Sequence, residues 1–115
     1  RMSVFRGIVQ KGSQRATALG YPTINIPCEE KGIGGIYAAR VVLKDEAPYM
    51  AAAFADPEKA ILEAHILDFE DDLYGLEVEI TLLEKIRESA RFFDDEALKV
   101  AIEEDIAKVR EYFHN

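Results

Sequence analysis

The chain has 115 residues, 49% of them apolar and 31% charged, with a net charge of −8 and a single cysteine. That balance fits one globular domain with its own core, and it excludes general nucleic-acid binding, which needs a positive footprint; Cys28 alone excludes an internal disulfide and, with two distant histidines, leaves no structural zinc set. No apolar run reaches the roughly 18–20 residues of a membrane span, and the opening "RMSVFRG" lacks an apolar signal core, so a cytoplasmic protein with no membrane partner is expected.

In chain order, "SVFRGIVQ" (residues 3–10) partly alternates and reads as a strand that stops at "KGSQ". The stretch "YPTINIP" (residues 21–27) reads as a second strand, with Pro22 acceptable only where no ladder partner needs its missing N–H. "GGIYAARVVL" (residues 34–43) is a third, rich in β-branched and aromatic residues. "YMAAAFA" (residues 49–55) is an ambiguous fourth, because its alanines suit a helix equally well. "AILEAHILDF" (residues 60–69) is a fifth, ended by "EDDLYG". "EVEITLLEKI" (residues 77–86) is a sixth, with Val78, Ile80, Leu82 and Ile86 expected on one face.

The period then changes. Leu98, Ala101, Ile102, Ile106, Val109 and Phe113 recur at three- and four-residue steps, the stripe of an amphipathic helix capped by Asp94 or Asp95. Short, evenly spaced strands followed by one helix predict a mainly β fold: a six-stranded closed, Greek-key-like barrel over about residues 3–87, with a C-terminal helix over about 95–113, forming a single domain across 1–115.

Three stretches can carry chemistry. In "GSQRATALGYPTIN", a glycine-bounded turn offers backbone N–H groups to phosphate oxygens, aided by Lys11 or Arg15. Thr23 and Asn25 lie two apart, so on a strand they share a face, and a hydroxyl with an amide carbonyl suits Mg²⁺, which takes few protein oxygens; the same pattern also fits a plain turn and a half-buried strand. In "ILEAHIL", Glu63 between apolar neighbours can serve as a general base, as can His65, or both can lie on a solvated face. In "IRESARFFDDEAL", Phe92 and Phe93 can stack on a planar ligand or anchor the helix, while "FEDD" and "IEED" read as solvated acidic faces.

In their order, "LGYPTIN", "GIYA", "EAHILDF", "DLYG", "IRESARFF" and "EALKVAIEEDI" resemble the riboflavin kinase (flavokinase) family over nearly the whole chain. The resemblance implies an ATP:riboflavin 5′-phosphotransferase that makes FMN, with Thr23 and Asn25 holding the Mg²⁺ of Mg-ATP and Glu63 as base. It further implies that the turn from Gly12 to Gly20, including Arg15 and Leu19, covers the nucleotide phosphates, with Pro22 just beyond it also at the cofactor. Arg87, Phe92 and Phe93 would help form the flavin side. A separate FMN adenylyltransferase would act downstream. Where the family usually has Gly-Arg this chain has Ala16 and Thr17, and the connection within "YMAAAFADPEKAILE" is several residues shorter than usual. A barrel that binds flavin or nucleotide without turnover is the competing expectation.

Overall fold

A computed structural model of the chain describes residues 3–12 and 14–114. Six strands, β1 (Ser3–Ile8), β2 (Ile24–Pro27), β3 (Gly35–Val42), β4 (Tyr49–Asp56), β5 (Ile61–Ile66) and β6 (Glu77–Arg87), pair antiparallel in the order β1-β6-β3-β4-β5-β2. β3, β4 and β5 follow one another by hairpins and β6 returns to the free edge of β3, the Greek-key arrangement. The sheet curls until Gln10, just beyond β1, bridges Asn25 of β2, with the Gln10 N–H donating to the Asn25 carbonyl at 2.8 Å. The result is a nearly closed barrel.

The alternation along each strand decides which side chains fill it. Ile26, Val41, Leu62, Val78 and Ile80 point inward and are fully buried. β4 resolves as a strand because β3 and β5 flank it on both sides, and this pairing outweighs the helical preference of its alanines. Ala51, Ala53 and Ala55 face the interior, while Met50, Ala52 and Phe54 face out.

Helix α2 (Asp95–His114) packs on that outer face. Small residues beneath it, Ala38 and Ala52, let it approach closely, and Val109 is fully buried against Ala38 and Leu67. Burial of a valine of this kind contributes roughly 1.5–3 kcal/mol. Asp94 caps the helix: its carboxylate accepts from the Glu96 N–H at 2.9 Å. No helix among the described residues is long and apolar enough to cross a membrane.

Three local expectations change. β2 begins at Ile24 rather than Tyr21, because the Tyr21 N–H donates to Ala16 and the Pro22 carbonyl accepts from His65 Nδ1 at 2.7 Å. Residues that read as an open turn include a short helix, α1 (Arg15–Ala18). Finally, Val78, Ile80 and Leu82 lie in the barrel, but Ile86 packs with the α2 cluster. Two register shifts between β3 and β6 each leave an extra residue in β6, at Leu83 and at Ile86 itself, and so break the alternation.

Candidate active site

Asn25 and Glu63 lie directly opposite each other in the β2–β5 ladder, so the pleat turns both side chains to the same, outer side of the barrel. Phe54 of β4 is the cross-strand neighbour of Glu63 on its other flank. α2 and the segment leading into it roof this face incompletely. Between them lies a cavity of about 280 Å³ bordered by Thr23, Asn25, Phe54, Glu63, Arg87 and Phe92, with apolar surface predominating.

The polar floor of the cavity is unusual in two ways. Asn25 is only 5% exposed, and a Cβ added at Gly12 would run into its side chain, so a glycine there lets the backbone come right against the amide. The Thr23 hydroxyl oxygen is buried with no protein partner in hydrogen-bonding geometry, alone in this among the described residues. Buried polar groups are normally paired; the Glu63 carboxyl is the acceptor near this hydroxyl, and Thr23 itself borders the cavity.

Burial pushes the Glu63 carboxyl above the ordinary carboxylate range. The nearby Thr23 hydroxyl and the Lys59 ammonium pull it partway back, and Asp56 adds a small push upward. His65, the other base candidate, has Nδ1 committed as a donor to Pro22 and packs edge-on against Tyr21 with ring centroids 5.6 Å apart.

On the opposite wall the charge is neutralised. Arg87 donates from Nε and Nη2 to the two oxygens of Asp105, each at 2.8 Å, and its guanidinium lies 5.7 Å from the centroid of the Phe92 ring. Asp105, 6% exposed, is the acid that sequence reading assigned to a solvated face. It occupies a three- to four-residue step of the apolar stripe, between Ala101 and Val109, and that position was the available signal.

A second, wider cavity of about 840 Å³ opens at the barrel end, bordered by Lys11, Gly12, Gln14, Thr17, Pro22 and Tyr74 among others. Thr23 lines both cavities, so they meet at its side chain.

The expected site residues divide accordingly. Arg15, Thr23, Asn25, Glu63, Arg87 and Phe92 border the first cavity; Gly12, Pro22 and again Thr23 border the second. Leu19, Gly20 and Phe93 border neither: Leu19 closes α1, Gly20 takes a positive φ of 99° just beyond it, and Phe93 is 88% exposed. Phe54, Tyr21 and Lys59 border the first cavity without having been singled out, because on their own strands and turns they read as ordinary packing or surface residues. No group of three His, Cys, Asp or Glu side chains able to hold a metal occurs among the described residues. A cation here would be held by Thr23 and Asn25 with ligand oxygens, as the hard donor set of Mg²⁺ permits.

Residues 1–113 match the family model described as riboflavin kinase. The bifunctional riboflavin kinase/FMN adenylyltransferase of Escherichia coli is 32% identical over 115 residues, covering 93% of this chain and 37% of its own length. The structure of riboflavin kinase from Trypanosoma brucei superimposes with a TM-score of 0.70 at 29% identity, covering 97% of this chain and 80% of that one. A Streptococcus pneumoniae structure described as a macrolide-efflux protein gives a TM-score of 0.79 at 27% identity, covering 93% of this chain and 38% of that one. The chain thus spans little more than a third of the length of the E. coli relative.

Proposed function

From the premise that this chain belongs to the riboflavin kinase family, we propose that it transfers the γ-phosphoryl group of ATP to the 5′-hydroxyl of riboflavin, giving FMN and ADP. The observation that carries the proposal is the meeting of Thr23, Asn25 and Glu63 on one apolar cavity, which a second, open cavity beside Gly12 joins at Thr23. The first cavity suits the flavin ring, with Phe54 and Phe92 on its walls; the second suits the nucleotide, with Lys11 beside the phosphates.

Phosphoryl transfer asks the protein mainly for positioning and charge neutralisation. Glu63 accepts the 5′-hydroxyl proton as the oxygen–phosphorus bond forms and the bond to the departing ADP oxygen breaks. A carboxylate with a raised pKa is the better base for that step. Asn25, wedged against Gly12, and the buried hydroxyl of Thr23 would hold Mg²⁺. When bound, the ion neutralises charge on the phosphate oxygens. FMN would then pass to an FMN adenylyltransferase, the second activity named for the E. coli relative.

The tight connection at residues 57–60 favours a second reading, in which the barrel binds flavin and nucleotide without turnover. Incubation with riboflavin, ATP and Mg²⁺, followed by chromatographic separation of flavins, distinguishes the two. FMN is expected with the metal and absent from a chelated control. Riboflavin binding with no FMN formed selects the second reading, and the absence of both overturns the proposal.

A further inference from the structure

We propose that Arg15 is a positioning residue that couples the two cavities, so that nucleotide and flavin each tighten the binding of the other; this rests on the function proposed above. Arg15 opens α1, and its chain neighbours Gly12, Gln14 and Thr17 border the nucleotide cavity. Its own side chain leaves that segment and crosses to the far wall of the flavin cavity. There Nε pairs with the Asp95 carboxylate at 2.9 Å, and Nη1 donates to the Phe92 carbonyl at 2.5 Å. Phe92 in turn walls the flavin cavity and lies against Arg87, which is fixed by Asp105 of α2.

One guanidinium therefore ties the segment that reaches the nucleotide cavity to one, about 80 positions later, that borders only the flavin cavity. The planar fork of arginine serves two differently placed acceptors at once, which a lysine ammonium on a flexible stem does less well. α1 is a four-residue helix, too short to hold its place by its own hydrogen bonds, so its position depends on tertiary ties of this kind. A nucleotide that fixes the segment carrying α1 fixes Arg15, and Arg15 then holds the Phe92 segment in the conformation that walls the flavin. By linkage the effect is reciprocal. The pair is exposed and adds little to global stability, so the coupling, not the melting temperature, is the quantity to read.

Riboflavin dissociation constants measured by fluorescence quenching, with and without saturating Mg-ADP, give the coupling directly. The unaltered chain is expected to bind riboflavin about fivefold or more tightly with Mg-ADP present. Arg15→Ala should bring that ratio to within about twofold of unity, and Arg15→Lys should fall between. Asp95→Ala is the decisive variant, because Asp95 borders neither cavity and its loss removes no ligand contact. Collapse of the ratio in Asp95→Ala supports the clasp. Full coupling in that variant, or an unaltered chain that binds riboflavin equally well with and without nucleotide, overturns it while leaving the proposed function standing. An unaltered chain that binds no riboflavin sinks the proposed function, and the clasp with it.

Discussion

Two of the acids bordering the first cavity face it from opposite walls, and they are held in opposite ways. Asp105 on the helix wall is locked in a two-point pair with Arg87, so its charge is balanced and its hydrogen-bonding capacity is spent on the protein. Glu63 on the strand wall is half-buried with no ion pair of its own among the described residues, and its carboxyl is pushed up by burial. A paired carboxylate fixes a wall; one with only a hydroxyl beside it and no ion pair is available to a substrate. The difference supports the chemical role proposed for Glu63 and a structural one for Asp105, and each can be broken separately.

The largest effect is expected from Glu63→Gln. It keeps the shape and hydrogen-bonding ability of the side chain and removes the base, so the rate of FMN formation should fall roughly 10²–10⁴-fold with the fold intact. A loss of less than tenfold, measured as kcat at saturating substrates, would take the chemical role away from Glu63.

Asp105→Ala should do the reverse, with stability falling first. It strands Arg87 against an apolar wall; a fully buried pair broken on one side loses about 3–5 kcal/mol. Arg87 keeps partial contact with water, so a loss of about 1–3 kcal/mol is expected in denaturant unfolding. Riboflavin KM should rise as Phe92 loses its support, with kcat changed less than in Glu63→Gln. If Asp105→Ala unfolds no more easily than the unaltered chain, the pair is not what holds that wall.

A smaller effect tests the floor between the walls. Gly12→Ala places a methyl group where the Asn25 side chain now lies, so the amide must shift. The KM for Mg-ATP is expected to rise roughly tenfold, about the worth of one well-placed polar contact, and riboflavin affinity in the absence of nucleotide should change less. An unchanged KM would remove Asn25 from the nucleotide side.

How far sequence reading reached follows from what each residue interacts with. The barrel strands were readable because Val78, Ile80 and Leu82, or Leu62, Ala64 and Ile66, alternate against one shared core. Asn25 and Glu63 could be singled out as polar interruptions in such strands, but their facing positions depend on the β2–β5 register, which no local pattern carries. Ile86 was misplaced because the register shifts in β6 have no signature in an alternation that runs straight through them. Asp105 was missed for a related reason: "IEED" looks solvated until Arg87, 18 residues earlier, is seen to meet it. The α1 segment read as a turn because four residues are too few to show a helical period.

The mildest prediction again separates the two acids, through pH. Glu63 holds its proton to higher pH in the folded chain than in the unfolded one. At pH below the ordinary carboxylate range both states are protonated and the group contributes no slope. As pH rises through that range the unfolded chain loses the Glu63 proton first, the folded chain carries the excess, and stability declines until Glu63 ionises in the folded state too. Glu63→Gln should therefore flatten this decline and leave the variant slightly more stable than the unaltered chain at neutral pH. Asp68 works in the other sense: its hydrogen bond from Arg110 holds its carboxyl low, so that contribution is present above the ordinary range and lost as pH falls through the lowered value. Unfolding free energies compared between pH 4 and 7 read the Glu63 effect as the difference between variant and parent, from which Asp68 cancels. A variant less stable than its parent at neutral pH would mean that the Glu63 carboxylate is stabilised by the fold, and Glu63 would then belong with Asp105 among the acids that hold the walls.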